Sequence, residues 1–175
     1  MNKLLLIAVT LAAGISALAQ GTFNASNNYI PTGGSAKAFV LGSDGLPLPK
    51  ANGMVQIINA ADQSSLNGAG SAFGGAGLFF VNDLIVPGVP TGGTASIVVR
   101  AWDITTGATW ETATSKGSGL VTVTGLGGGT TPNATFAANS NFVGLQLTGT
   151  IVPEPSTIAL AAFGLAGLFF VARRK

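Results

Sequence analysis

The amino-acid sequence predicts an all-β protein: a single antiparallel β-sandwich between an N-terminal signal peptide and a C-terminal transmembrane helix. Short segments that alternate apolar and polar side chains recur through the middle of the chain, and clusters of Gly, Asn, Asp, Ser and Thr separate them. No apolar stripe of helical period is found there. At 175 residues the chain has room for one ordinary domain, which we assign to residues 20–152.

The clearest predicted strand covers residues 95–103, where Ile97, Val99 and Ala101 share one face. Shorter alternations predict further strands at residues 22–26, 36–41, 54–60, 78–81, 120–124 and 142–148. Turn residues lie between several of them, at Asp44-Gly45, Asn52-Gly53 and Thr106-Gly107. About seven to nine short strands with glycine-rich connections favour a two-sheet sandwich, and jelly-roll and immunoglobulin-like orders both fit the pattern.

The N-terminus has the layout of a secretory signal peptide. A positive start is followed by an apolar run at residues 4–15, and Ala17 and Ala19 supply the small residues of a cleavage site before Gln20. We therefore predict a signal peptide at residues 1–19, cleaved before Gln20. A buried first helix is the weaker alternative, and the run is short for a spanning helix.

The C-terminal segment is also directed to the membrane. Residues 158–172 have no charged or strongly polar side chain, and Arg173, Arg174 and Lys175 follow them. We predict a transmembrane helix at residues 157–172, somewhat short for the ~30 Å apolar core of a bilayer. The basic residues act as a membrane stop and stay in the cytoplasm, which leaves the preceding domain outside.

The tail contains three parts in a fixed order. They are Pro153-Glu154-Pro155, the run Gly164-Leu165-Ala166-Gly167-Leu168, and the terminal Arg173-Arg174-Lys175. Together these parts closely resemble the PEP-CTERM sorting signal, over residues 153–175. Such tails occur on exported proteins of Gram-negative and related bacteria that make extracellular polysaccharide.

The resemblance implies that the chain is a substrate of an exosortase, a membrane-embedded, cysteine transpeptidase-like enzyme that reads Pro153, Glu154 and Pro155. The protein would be anchored in the inner membrane before processing and would then reach the cell surface or the medium. A structural or adhesive role beside exopolysaccharide is the expected function. A plain single-span anchor is the alternative. The middle of the chain resembles, more weakly, small β domains that carry this tail, through residues 99–103 and 107–111, and no activity follows from that likeness.

Composition excludes several functions. The chain has no His and no Cys, which removes a thiol nucleophile, an imidazole base and an ordinary zinc site. The +2 formal charge comes from the two ends, because residues 20–152 hold fewer bases than acids, so no nucleic-acid partner is expected. We expect no enzyme, no cofactor and no metal site. The glycine-rich stretches at 68–77 and 125–129 complete no phosphate-binding motif and are predicted to be flexible surface loops.

Trp102 and Trp110 are the candidate ligand-binding residues. If Thr106-Gly107 forms a hairpin turn, Trp102 lies opposite Glu111 and Asp103 opposite Trp110. Aromatic faces beside carboxylates suit sugar stacking, so a carbohydrate-binding module that uses both tryptophans is the alternative function. The plainer interpretation, which we favour, places one tryptophan in the core and the other at a sheet margin. Nothing in a simple hairpin would tune Asp103 and Glu111 as a glycosidase pair.

Overall fold

The computed structural model describes residues 20–149, which form strands and one short helix. In chain order the elements are β1 (Gln20–Ser26), β2 (Val40–Leu41), β3 (Gly53–Asn59), β4 (Ser71–Ala72), β5 (Phe80–Pro90), β6 (Ala95–Asp103), β7 (Ser115–Val123), β8 (Ala134–Thr135), α1 (Phe136–Asn139), β9 (Leu145–Gln146) and β10 (Thr148–Gly149). The predicted signal peptide with Ala17 and Ala19, the sorting motif and the predicted transmembrane helix lie outside the described residues. Within residues 20–149, no helix has the length and apolar character needed to cross a membrane.

The strands form three sheets, which confirms the all-β prediction. One sheet has five strands in the order β10-β7-β6-β3-β4, a second has the order β5-β1-β8, and β2 and β9 make a two-stranded sheet. Buried side chains from the inner faces of the two larger sheets belong to one hydrophobic cluster. The larger sheets are therefore packed over a shared core, as in a sandwich.

The prediction of purely antiparallel sheets is wrong at two short pairings. Strands β1 and β8 pair in parallel, and so do β2 and β9. Alternation along a strand shows which face is buried but carries no information about the direction of its neighbour. The direction of these two pairings is set by the chain after β7, which runs back along the N-terminal strands. There β8 pairs with β1 and β9 pairs with β2, each over only two residues.

The centre of the five-stranded sheet follows the pattern of the sequence closely. Strand β6 has the predicted bounds, and β3 differs from its prediction by one residue at each end. The register places Val55 against Ala101 and Ile57 against Val99. These side chains are fully buried, so the alternation of β-branched residues in the sequence corresponds to the inner face of the sheet.

Strand β5 extends well beyond the predicted segment at 78–81, as far as Pro90. Its pairing with β1 contains two register shifts, one of them beside Asp83, which has a left-handed φ of 55°. Pro87 and Pro90 lie in its second half. Proline and bulges are tolerated on edge strands, and β5 is the edge of its sheet, but the same features hide a strand from a search for simple alternation.

The predicted strand at 142–148 is divided in two. Gly144 takes a φ of +117°, and the chain forms only the short β9 and β10 on its far side. As a result Val143 is 73% exposed whereas Leu147 is 1% exposed, although two residues four positions apart would share one face of an unbroken strand. The positive φ at a glycine rotates the following residues out of the expected alternation.

Aromatic rings occupy the centre of the core. Phe23 stacks on Phe136 of α1 with ring centroids 5.9 Å apart, and Phe79 meets Phe142 edge to face at the same distance. Asn27 is buried among them and fully paired. Its Nδ2 donates to the carbonyl oxygens of Ala38 and Gly77 at 2.8 and 2.7 Å, and its Oδ1 accepts from the Phe79 N–H at 2.7 Å.

Both glycine-rich stretches are hydrogen-bonded to neighbouring segments of the backbone, which corrects their interpretation as flexible surface loops. Thr22 and Gly127 exchange backbone hydrogen bonds of 3.0 and 2.8 Å, and Leu126 between the glycines is fully buried. A Cβ on Gly77 would lie 2.8 Å from the Val40 carbonyl oxygen. Glycine is needed in these places because another part of the backbone approaches too closely for a side chain.

Candidate functional site

The candidate site lies on the outer face of the five-stranded sheet, at the C-terminal end of β6. Strand β6 turns Val99 and Ala101 toward the core and therefore places Arg100 and Trp102 on the outer face. Trp102 pairs with Lys116 of β7. Arg100, Trp102 and Lys116 are thus brought together by strand alternation and register alone.

Strands β6 and β7 are antiparallel neighbours, but the two-residue turn considered at Thr106-Gly107 does not connect them. Strand β6 ends at Asp103 and β7 begins at Ser115, so Trp102 lies opposite Lys116 and not opposite Glu111. The loop of residues 104–114 instead folds on itself, and a Cβ on Gly107 would overlap the backbone of Ala113. This close approach, which no two-residue turn would allow, replaces the expected pairing.

The loop is held by its own polar groups. Asp103 Oδ1 accepts from the backbone N–H of Thr105 at 2.9 Å and from its hydroxyl at 2.6 Å. The Thr106 hydroxyl donates to the Asp103 carbonyl oxygen at 2.8 Å and accepts from the Ser115 N–H at 3.0 Å. Asp103 therefore has a capping role at the start of the loop, typical of an Asx turn.

The loop places Trp110 over Trp102. The two rings meet edge to face, with centroids 6.4 Å apart and an interplanar angle of 77°. Trp102 is only 2% exposed, so its ring is not available to stack on a sugar, whereas Trp110 is half-buried. The pairing of the two tryptophans as one exposed binding face is therefore corrected: Trp110 alone presents a surface.

Two cations flank Trp110. Arg100 Cζ and Lys116 Nζ each lie 5.3 Å from the centre of its ring, within the range of a cation–π interaction. Lys116 Nζ also donates to the carbonyl oxygens of Trp110 at 2.8 Å and Glu111 at 3.3 Å. Lys116 consequently holds the loop in place as well as contributing its charge. We call Arg100, Trp110 and Lys116 the Trp110 cluster.

Glu111 is exposed and ionised beside this cluster. Hydrogen bonds from its own backbone N–H and from the Thr109 side chain, together with the nearby charges of Arg100 and Lys116, lower the pKa of Glu111 below its ordinary value of 4.5. A glycosidase acid needs the opposite shift. The direction of this shift does not favour Glu111 as a general acid.

A second polar cluster, on the outer face of the three-stranded sheet, was missed by the sequence analysis. Asn133 Nδ2 donates to Asp83 Oδ1 at 2.8 Å and to Asn24 Oδ1 at 3.2 Å, and the Asp83 N–H donates to Asn24 Oδ1 at 2.9 Å. The hydroxyl of Thr22 donates to Asn133 Oδ1 at 2.5 Å. These groups satisfy one another and join β1, β5 and the segment before β8. The residues are too far apart in the chain for any local motif to indicate the contact.

No metal centre is formed by the part of the chain that the structure describes, since residues 20–149 contain no group of three or more His, Cys, Asp or Glu side chains able to hold an ion. Open clefts of roughly 300 and 330 Å³ lie beside Val143 and beside Val89. Among the residues that line these two clefts, Lys37 is the one charged side chain.

The described residues thus define a small all-β domain with few charges, whose most distinctive surface is the Trp110 cluster. Residues 152–175 match the family model of the PEP-CTERM protein-sorting motif, so the chain carries this motif. The match confirms the resemblance of the tail and includes Pro153, Glu154 and Pro155 as well as Arg173, Arg174 and Lys175. No curated protein and no solved structure matches the chain.

The motif has two direct implications. It implies export and sorting to the cell surface, and it implies processing by an exosortase as motifs of this family are processed in general. It carries no information about the activity of residues 20–149.

Proposed function

We propose that this protein is an exported cell-surface or extracellular-matrix protein with a structural or adhesive role beside exopolysaccharide. The observation that carries the proposal is the sorting motif at residues 152–175, which sends the chain to the surface. Two observations support a non-catalytic role. The β domain has no histidine or cysteine, and the pKa of Glu111, the acid beside the Trp110 cluster, is lowered. In this proposal the protein is not an enzyme and needs no cofactor.

The proposed route to the surface has three steps. The signal peptide at residues 1–19 is removed before Gln20, and the helix at residues 157–172 holds the protein in the inner membrane with its basic end in the cytoplasm. The exosortase then reads Pro153-Glu154-Pro155. Proline lacks the backbone N–H that a helix interior needs and disfavours helical geometry at the residue before it, so the sequence Pro-Glu-Pro favours a boundary between the motif and the predicted helix.

The sorting step is tested by replacing Pro153, Glu154 and Pro155 with alanine in the producing bacterium. We expect the full-length variant to accumulate in the inner-membrane fraction, as seen by immunoblotting of fractionated cells. The chain offers a matched control, because Pro47-Leu48-Pro49 has the same proline spacing inside the β domain. Alanines at Pro47 and Pro49 should leave processing unchanged. Normal processing of the motif variant would contradict the proposal.

The role in the matrix is tested separately by deleting the gene and measuring how much exopolysaccharide stays attached to washed cells. We expect a loss of attached material that returns with the wild-type gene. Unchanged attachment and unchanged cell–cell adhesion would argue against a structural or adhesive role, even if sorting itself were confirmed.

Carbohydrate binding is the second candidate function, and the exposed part of Trp110 favours it. Trp110 is half-buried, so part of its indole is accessible at the sheet surface, and an accessible aromatic ring is a suitable contact for a sugar. The original candidate pair of Trp102 and Trp110 is reduced to Trp110, with Trp102 as the ring on which it is supported.

A further inference from the structure

The cations of the described residues are few, and half of them meet at one aromatic ring. Residues 20–149 contain Lys37, Lys50, Arg100 and Lys116, against five acids. Arg100 and Lys116 both approach the centre of the Trp110 ring to 5.3 Å. In a domain with so little charge, two of the four cations of residues 20–149 therefore lie over one half-buried indole.

Among residues 20–149, Arg100 has an aromatic contact but no polar partner. The described part of the chain gives its guanidinium the contact with the Trp110 ring but no hydrogen bond and no ion pair within 4.0 Å. Glu111 is close enough for its pKa to be lowered by the charge of Arg100 without forming a direct contact. The planar donor groups of Arg100 are therefore free to bind a carboxylate from outside.

From these observations we propose that the Trp110 cluster binds an acidic saccharide, in which a uronate carboxylate contacts Arg100 and Lys116 while the sugar ring lies on Trp110. This inference rests on the proposed carbohydrate-binding function and specifies its ligand. A uronate carries a carboxylate directly on a ring with an apolar C–H face, and the cluster presents donors and an indole within a few ångströms of one another. A neutral sugar would use the indole but would leave the guanidinium of Arg100, which has no polar partner among residues 20–149, without a hydrogen-bond acceptor.

The cluster is preorganised for such a ligand. Trp102 supports Trp110 from below, and the hydrogen bonds from Lys116 to the carbonyl oxygens of Trp110 and Glu111 fix the backbone of the loop. A site that is already ordered loses less entropy on binding. A nucleic acid or an anionic membrane would be a poor match, because these need an extended basic face and the domain around the cluster carries a net negative charge.

The test uses the purified full-length protein and two sets of probes, oligogalacturonate and oligomannuronate, each compared with its methyl ester. The ester keeps the sugar ring and removes only the charge. By titration calorimetry we expect at least one of the two free acids to bind, and its ester to bind about tenfold more weakly or worse, which corresponds to ~1.4 kcal/mol. Binding of the acid should also weaken as salt is raised.

Variants then assign the binding to the cluster. Arg100→Met removes the charge and keeps an aliphatic side chain, and should weaken binding of the acid by about tenfold. Trp110→Ala should abolish binding of acid and ester, and Trp110→Phe should restore part of it. Arg100 is a cleaner probe than Lys116, because Lys116 also anchors the loop. Lys37→Met, which removes the same charge elsewhere, is the matched control and should bind as the wild type.

The outcomes separate this inference from the function on which it rests. Equal binding of acid and ester, lost in Trp110→Ala, would retain carbohydrate binding and overturn the acidic specificity. Binding that survives in both Arg100→Met and Trp110→Ala would place the ligand elsewhere and overturn the site. Absence of binding to every probe would overturn the inference, while the sorting and attachment experiments would still decide the structural role. Thermal unfolding of each variant checks that the fold is intact.

Discussion

The main core and the region around Trp102 both bury large aromatic side chains, but by different means. In the core, Phe23, Phe79 and Phe136 lie between sheets and are fully buried. Trp102 faces the outer side of its sheet and is nevertheless only 2% exposed, because two loops cover it. Trp110 of the loop at residues 104–114 meets its ring, and Gly70 lies so close that an added Cβ would be 2.8 Å from Trp102 Cη2. Burial in the first region follows from strand alternation, whereas burial in the second depends on how loops fold over the sheet.

The two regions also differ in how their polar groups are paired. Asn27 in the core uses its amide to pair three backbone groups. Trp102 Nε1 is buried without a hydrogen-bond partner among residues 20–149. A buried N–H without a partner costs free energy, whereas a fully paired buried amide does not carry this cost. The region around Trp102 should therefore contribute less to stability than the core around Asn27.

The largest effect is expected from Phe79→Ala. Phe79 is fully buried and contacts the rings of Phe73, Phe136 and Phe142, so its removal leaves a cavity that several rigid elements cannot fill. We expect the free energy of unfolding to fall by about 4 kcal/mol, measured by urea denaturation. If Phe79→Ala does not fold, Phe79→Leu replaces it in the measurement. Leucine fills most of the space, so this variant should lose much less of the free energy of unfolding. Ile85→Ala is the control, because Ile85 is 49% exposed, and it should cost below ~0.5 kcal/mol. Equal losses for Phe79→Ala and Ile85→Ala would contradict the assignment of the core.

Asn27→Ala should have the next largest effect. The substitution leaves the carbonyl oxygens of Ala38 and Gly77 and the N–H of Phe79 without their side-chain partner inside the protein. We expect a loss of about 3 kcal/mol in the free energy of unfolding. The neighbouring Asn28 is exposed and accepts only from Lys37, so Asn28→Ala is the control and should be nearly neutral. A small effect of Asn27→Ala would mean that the buried network does not determine the junction of these segments.

Trp110→Ala should cost less, about 1.5 kcal/mol in the free energy of unfolding, because the ring is only half-buried and the loop keeps the hydrogen bonds of Asp103 and Thr106. The chain has only two tryptophans, so the remaining fluorescence comes from Trp102. We expect a red shift of this emission as Trp102 becomes exposed to water. Trp110→Phe should keep the emission blue. An unchanged spectrum in Trp110→Ala would show that another group covers Trp102.

The smallest effect is the pH dependence due to Glu111. Because its pKa is lowered in the folded protein, ionised Glu111 stabilises the fold above its ordinary pKa of 4.5, and this contribution is lost as the pH falls through the lowered value. Glu111→Gln should therefore be slightly less stable than the wild type near neutral pH, and the difference should vanish in acid. Urea denaturation between about pH 7 and pH 2 measures the difference. A difference that stays constant over this range would exclude titration of Glu111 as its cause.

The sequence predicted β3 and β6 of the five-stranded sheet to within one residue, but it predicted only residues 120–124 where β7 runs from Ser115 to Val123. Residues 95–103 form β6 with the predicted bounds, because apolar residues at alternate positions indicate a strand with one buried face. Strand β5 was recognised only at its start, since Pro87, Pro90 and the bulge at Asp83 interrupt the alternation. The two-residue strands exist only through their pairing with distant segments, and a pattern within two residues cannot indicate a partner.

The candidate site was predicted in its residue types but not in its arrangement. Both tryptophans were singled out, yet the expected opposition of Trp102 to Glu111 is replaced by the pair of Trp102 and Lys116. The length of a loop can be stated only when the ends of the two flanking strands are known. Here the loop between β6 and β7 folds back so that Gly107 lies close to the backbone of Ala113, a contact between positions that no local pattern links. Arg100 and Lys116 were not recognised as neighbours of Trp110 for the same reason.

The sequence by itself determined the β class, the composition that excludes thiol and imidazole chemistry, and the sorting motif at residues 152–175. These are properties of residue types in linear order, so neighbouring positions are sufficient to specify them. The tertiary structure alone decided that Trp102 is buried on the outer face of its sheet and that Arg100 and Lys116 converge on Trp110. Such contacts depend on strand register and on the path of a loop, both of which are set by packing between segments that the local pattern does not connect.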